Sequence, residues 1–146
     1  MENQRLSEQD SKRMRGLLEE SSFQPSWSSS DIQSLLTLDT TASWGRAYKG
    51  KLISFILIQK VASEVEIILL VTHPSHRKKG IAGLLLEEVV KYLREEEISR
   101  IFLEVSVENT PAISFYKSHA FEIIGERKNY YSRKNNKSAN VMMRLI

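Results

Sequence analysis

The chain has 146 residues, 41% hydrophobic and 27% charged, the balance of an ordinary globular domain with enough material for a core. Its net charge of +3 and pI of about 9.2 are too mild to single out a partner, suiting nucleic acid, an anionic cofactor or a plain solvated surface equally well. The lack of any cysteine excludes disulfides, thiolate metal sites and a cysteine nucleophile, and no apolar run approaches the ~18 residues of a membrane span.

Met1 to Arg5 leads into a polar region, so no signal peptide and a cytoplasmic residence are expected. No repeat or linker divides the chain, and one domain over residues 1–146 is expected. Ser7 predicts a helix over about 7 to 20, with Met14, Leu17 and Leu18 as its apolar stripe. Ser21 to Trp27 is a loop by composition, whose Phe23 and Trp27 either anchor it on the core or form a substrate-facing wall. Ser28 to Ser30 announce a second short helix from Asp31 to Leu36. Ala42–Tyr48 and Lys51–Gln59, joined by Lys49-Gly50, read as a hairpin, and Val61 to Ser63 turn the chain into a third strand.

That third strand begins the stretch around which the chain is organised, Glu66 to Leu86. Ile67 to Val71 are apolar without alternation, as in a strand covered on both faces. Pro74 ends regular pairing. Apolar residues at 81, 84, 85, 89 and 93 predict a helix from Gly80 to about Glu96, with Glu87–Lys91 and Lys91–Glu95 pairs on its wet face. Small residues at Gly80, Ala82 and Gly83 let a ligand approach the N–H groups opening that helix, an arrangement suited to phosphate or pyrophosphate.

Arg100 to Val107 is the next strand, placed parallel to the Glu66–Thr72 strand by a right-handed crossover. Asn109-Thr110-Pro111 starts a short helix to about His119. Phe121–Tyr131 and Ala139–Leu145 close the chain as strands around the polar Ser132–Lys137 turn. The order ααβββαβαββ gives a mixed sheet with helices on its faces.

Glu104 lies in an otherwise apolar strand, marking either a half-exposed face or a general base. Tyr116 is either core packing or a proton donor to a leaving thiolate, since the reference pKa values of about 10 and about 8.5 are close. His73, His76 and His119 match no familiar metal-ligand spacing, and no metal is expected. Arg127 to Lys134 is basic and aromatic; it reads as a solvated strand face, with single-stranded nucleic acid as the alternative.

Two segments then resemble a family. Arg77-Lys78-Lys79-Gly80-Ile81-Ala82 is similar to the (Q/R)-x-x-G-x-(G/A) signature of the GNAT N-acetyltransferase superfamily, in the required strand–turn–helix context. Leu103-Glu104-Val105, Asn109, Ala112-Ile113-Ser114-Phe115-Tyr116 and Phe121 resemble the L-E-V…N…A-I-x-x-Y-x-x-x-G-F region of the RimI-type ribosomal-protein alanine N-acetyltransferases. Phe23…Trp27-Ser28, Arg127-Lys128-Asn129-Tyr130-Tyr131 and Ala139 to Met143 look like that branch too, so the resemblance covers roughly residues 12 to 146.

The resemblance implies a GNAT fold of the α/β (α+β) class: a mixed, mostly antiparallel sheet, helices on both faces, and a splayed parallel strand pair at an acetyl-CoA site. It implies that Leu70, Val71 and Thr72 hold the pantetheine arm through main-chain bonds. The N–H groups of Arg77, Lys78, Lys79, Gly80, Ile81, Ala82 and Gly83 would bind the pyrophosphate, and Asn109 would contact the cofactor near its thiol. Glu104 would deprotonate the incoming ammonium and Tyr116 would protonate the departing thiolate. The implied substrate is the N-terminal alanine of a small-subunit ribosomal protein, acetylated by direct transfer; a monomer without direct nucleic-acid or membrane binding is expected. Acetylation of another amine (other N-termini, lysine, polyamine, aminoglycoside) or a non-catalytic binding module are the alternatives. Three departures stand out. Gly83 replaces a side chain and suggests a more mobile turn. Ala120 replaces a glycine, costing roughly 1 kcal/mol if its φ is positive. Only Glu2 to Leu6 are available for the family's first strand.

Overall fold

The structure, a computed structural model, describes residues 2–21, 27–128 and 138–146. Strand β1 (Asn3–Leu6) precedes helices α1 (Ser11–Glu20) and α2 (Ser29–Leu36). Strands β2 (Thr41–Tyr48), β3 (Lys51–Val61) and β4 (Glu64–Thr72) form a meander. Helix α3 (Ile81–Glu95), β5 (Arg100–Ser106), α4 (Thr110–Ser118), β6 (Glu122–Arg127) and β7 (Ala139–Leu145) follow. The sheet order is β1-β2-β3-β4-β5-β7-β6, with every neighbour antiparallel except β4 and β5. The expected fold class and the parallel β4–β5 pair are both present.

Local chemistry sets the element ends. Ser7 and Asp10 form a capping box around a 3-10 turn that leads into α1, and Ser28 and Asp31 form another at α2. Lys49 (φ 50°) and Gly50 (φ 79°) make the two-residue β2–β3 turn, with both central residues left-handed as such a hairpin requires. Asn109 caps α4 by accepting from the Ala112 N–H at 3.3 Å.

Two clusters build the core. Met14, Leu17, Leu18 and Ile32 of α1 and α2 meet Leu52, Phe55, Leu57, Leu69 and Val71 on one face. Leu85, Leu86, Val89, Val90 and Leu93 of α3, with Tyr116 of α4, meet Ile56, Ile58, Val65, Ile67 and Leu103 on the other. Trp27 packs on the α1–α2 cluster as an anchor; Phe23 lies outside the described residues, as do Asn129 to Lys137.

Several expectations need correction. Strand β4 is covered on both faces as expected, but full burial alternates along it: Val65 and Ile67 pack into the α3 cluster, and the Ile68 bulge between the Leu57–Leu69 and Ile58–Ile67 pairs turns Leu69 and Val71 to the α1–α2 cluster. Leu84 is 52% exposed: it lies about 100° around the helix from Leu85, while Leu86 and Val90 fill the buried stripe. Glu87 turns to Arg144 of β7 at 2.9 Å instead of to Lys91.

Residues Asn3–Leu6 do form a first strand, paired with Arg46 to Ser43. The Arg5 guanidinium sits 4.5 Å from the Trp44 ring centroid and 5.2 Å from that of Tyr92, which ties β1 to β2 and α3. Arg5→Ala is expected to destabilise the fold by about 1 kcal/mol, read from the urea midpoint.

Candidate functional site

Pairing between β4 and β5 stops almost as soon as it begins. Val65 faces Ile101 and Glu66 faces Phe102, and beyond them the two strands separate. Leu70, Val71 and Thr72 remain paired to Ile56, Phe55 and Ser54 of β3, so their other edge is left without a strand neighbour among the described residues. The edge is held firmly from behind. The buried Ser54 hydroxyl donates to the Val71 carbonyl at 2.9 Å, so Thr72 Oγ1, 2.8 Å away, donates to Ser54. The His73 N–H donates to the Ile53 carbonyl at 2.7 Å. Arg77 Nε donates back to the Thr72 carbonyl at 3.1 Å, a side-chain role beyond the backbone one expected of it.

The basic turn then feeds α3. Lys78 (φ 61°) and Gly80 (φ 80°) are both left-handed, and Gly80 is the α3 N-cap without a side-chain capping bond. The N–H groups that open α3 therefore face outward with the positive end of the helix dipole behind them. A side chain at Gly80 would meet open space, so the glycine is required by φ alone.

At the other side of the opening, Glu104 keeps its side chain 18% exposed and is bound by Arg127 of β6, whose Nη1 lies 3.0 Å from Oε1 and 3.2 Å from Oε2. Glu66 is half-buried and lies on the same face, because Val65, Ile101, Leu103 and Val105 alternate with Glu66, Phe102 and Glu104 and point into the α3 core. Burial pushes the Glu66 carboxyl above its ordinary value, the Glu104 charge pushes it further, and Arg127 offsets part of this. Tyr116 is 8% exposed, between Phe115 and Phe121 at 5.2 and 5.3 Å, and burial pushes its phenol well up, so the hydroxyl keeps its proton.

With this geometry in hand, relatives can be compared. The acetyltransferase (GNAT) family matches residues 12–121. The chain belongs to that family. It is 28% identical over 96 residues to the [ribosomal protein bS18]-alanine N-acetyltransferase of Escherichia coli (strain K12), covering 66% of this chain and 65% of that one. A putative enzyme of the same name in Bacillus subtilis is 29% identical over 116 residues, covering 79% and 77%. The chain thus spans somewhat less than two thirds of the Escherichia coli relative. The crystal structure of the ribosomal-protein-S18-alanine N-acetyltransferase from Escherichia coli superposes with TM-score 0.90 at 23% identity, over 99% of this chain and 93% of the other. The PaiA N-acetyltransferase from Thermoplasma acidophilum, solved with coenzyme A, superposes with TM-score 0.83 at 20% identity, over 99% and 98%.

In this GNAT chain the sequence-derived residues fall into two groups. Leu70 to Thr72 and Arg77 to Gly83 form one continuous edge and turn. Glu104 lies on β5, while Asn109 and Tyr116 mark the start and the buried face of α4. Gly83 is not a loosened turn position but lies within α3, and a Cβ there would come within 2.9 Å of the His119 ring, which fills its place. The other histidines are tied into local structure: His73 Nε2 is 2.9 Å from Glu20 Oε2 and its Nδ1 accepts from the Ser75 N–H, while His76 tilts on Tyr48 at 5.4 Å. Among the described residues, no group of three or more His, Cys, Asp or Glu side chains is arranged to hold a metal, and no helix is long and apolar enough to cross a membrane.

Glu66 and Arg127 come to Glu104 only through the register across β4, β5, β7 and β6, which the sequence alone does not show. Ala120 has φ 67°, so the expected strain is present. Ala120→Gly is expected to stabilise the fold by roughly 0.5–1 kcal/mol, a rise in the urea midpoint at constant slope.

Proposed function

We propose that this single domain of residues 1–146 is an acetyl-CoA-dependent N-terminal acetyltransferase acting on the N-terminal alanine of a small-subunit ribosomal protein. The observation that carries the reading is the early divergence of β4 from β5. It leaves the edge of Leu70, Val71 and Thr72 that faces away from β3 without a strand neighbour among the described residues, and the basic turn then carries the chain to the uncapped start of α3. Such an edge accepts an extended amide-bearing chain as an added strand, and such a helix start accepts phosphate. The residues present therefore fit the cofactor. Leu70, Val71 and Thr72 hold its pantetheine arm, the N–H groups from Arg77 through Lys78, Lys79, Gly80, Ile81 and Ala82 to Gly83 hold its pyrophosphate, and Asn109 meets it near the thiol. Bound acetyl-CoA supplies an acyl group already activated as a thioester.

In this reading Glu104 serves the amine from the β5 face opposite the α3 core, and Tyr116 serves the leaving sulfur from the core side. The Glu104 carboxylate attracts the incoming ammonium, and Tyr116 donates its proton to the departing sulfur. An amine reacts only when neutral, and the reference pKa of an α-amino group is about 8, so a modest carboxylate base suffices. Holding amine and thioester together supplies much of the remaining acceleration. The chain contains no cysteine for an acyl-enzyme, and transfer is direct, within a ternary complex. The protein works as a cytoplasmic monomer that binds neither membrane nor nucleic acid directly.

The substrate class is tested by a panel of amines offered at equal concentration with acetyl-CoA. Peptides beginning with alanine are expected to turn over, and the same peptides with a blocked α-amine are expected not to. Robust acetylation of polyamines or aminoglycosides, with none of the peptides, rejects the substrate assignment.

A further inference from the structure

We propose that His119 is a cofactor-binding residue: its Nε2 donates to the pyrophosphate of acetyl-CoA at the start of α3, and the imidazole takes up a proton from solvent as the cofactor binds. This rests on the acetyltransferase function proposed above. The starting observation is a gap in α3. Gly83, in its first turn, offers no side chain, and a Cβ there would lie 2.9 Å from His119 Cε1 and 3.1 Å from Nε2. The imidazole, delivered from the C-cap of α4, therefore stands where a side chain of α3 itself would begin. Helical Cα–Cβ bonds tilt toward the helix N-terminus. This ring edge thus lies on the side of Gly83 where the N–H groups of Ile81, Ala82 and Gly83 have no partner within the helix.

The ring is held in place by its neighbours. Phe115 packs on it at 4.6 Å between centroids, and the side chain is 27% exposed. Nδ1 faces Glu87 Oε1 at 3.8 Å, while no hydrogen bond among the described residues engages Nε2. The charged groups facing the ring are Glu87 from α3 and, behind that carboxylate, Arg144 from β7 at 2.9 Å; Phe115 on its own helix is uncharged. The Arg144 hydrogen bond holds the Glu87 carboxyl below its ordinary value, so Glu87 remains an anion across the assay range. Arg144 also makes the closer contact with that anion, which leaves the imidazole without a full partner until a second anion arrives. The pyrophosphate is that anion. An imidazolium donates from both nitrogens, to carboxylate and phosphate at once, whereas a neutral imidazole donates from only one. A side chain that merely filled the space over Gly83 would donate nothing.

Titration calorimetry with acetyl-CoA in buffers of different ionisation enthalpy reads affinity and proton uptake together. At about pH 7 the parent is expected to take up more protons than His119→Phe, which keeps a ring over Gly83. His119→Phe is expected to bind about 10-fold more weakly, the share of one charge-assisted hydrogen bond, and His119→Gln to recover part of that loss. A proton gained on binding favours the complex at low pH, so parent affinity is expected to fall more steeply than that of His119→Phe between about pH 6 and about pH 8. The proposal is overturned if His119→Phe binds within about twofold of the parent, or if it loses affinity with proton uptake unchanged, as lost packing alone would produce. Imidazole NMR of the parent decides without relying on any variant: the His119 titration midpoint is expected to rise when acetyl-CoA binds, and an unchanged or lowered midpoint contradicts the proposal. Acetyl-CoA binding without these effects rejects the role of His119 alone, whereas no binding by the parent rejects the cofactor reading and this proposal with it.

Discussion

Tyr116→Phe is expected to slow acetyl transfer by about 100-fold or more while leaving the fold and acetyl-CoA binding in place. The ring is 8% exposed and packs against Phe115 and Phe121, and phenylalanine fills the same space, so the core around α4 keeps its contacts. What disappears is the hydroxyl, and with it the proton for the departing sulfur. Burial alone pushes this phenol upward, which fixes the sign of the pH dependence. The group remains a proton donor throughout the usual assay range, and no loss of kcat below about pH 10 is expected from its ionisation. The same burial makes full transfer to a thiolate uphill, so a strong hydrogen bond at the sulfur carries much of the benefit. Rapid-quench single-turnover kinetics on Tyr116→Phe separate the chemical step from product release. An unchanged single-turnover rate would leave Tyr116 as core packing only.

Gly80→Val is expected to weaken acetyl-CoA binding by roughly 10-fold or more. Gly80 has φ 80°, and a branched side chain there costs about 1–2 kcal/mol of backbone strain. No atom crowds the position, so the variant folds, but it relieves strain by rotating the first turn of α3. That rotation moves the N–H groups proposed to hold the pyrophosphate, and each 1.4 kcal/mol is a tenfold change in affinity. Gly80→Ala should show a smaller effect in the same direction. Calorimetric titration with acetyl-CoA reads both variants, and affinities equal to the parent's would separate the turn from the cofactor.

The order of these elements was legible because each carries its own local signal. Pro74 stops β4, Gly80 opens α3, and Asn109 with Pro111 starts α4, all through short-range constraints on φ, N–H groups and capping. Strand β1 carries too little local signal: only Leu6 among its four residues is buried, and it exists through pairing with β2 and the Arg5 contacts. The site is harder to read for the same reason. The Ile68 bulge, the parting of β4 from β5 and the meeting of Glu66, Glu104 and Arg127 depend on register between strands separated by whole helices. Alternation in one strand says which residues share a face, but not which residue of another strand lies beside them. Glu104 could be singled out as a carboxylate in an apolar strand. Its Arg127 partner, 23 residues away and across β7, could not.

The most direct measurement is tandem mass spectrometry of an alanine-starting ribosomal N-terminal peptide after incubation with the protein and acetyl-CoA. A gain of one acetyl group located at the α-nitrogen, with no acetylated protein on the path, is the expected result. An unmodified α-amine, or acetyl found only on lysine side chains or small polyamines, would contradict the account.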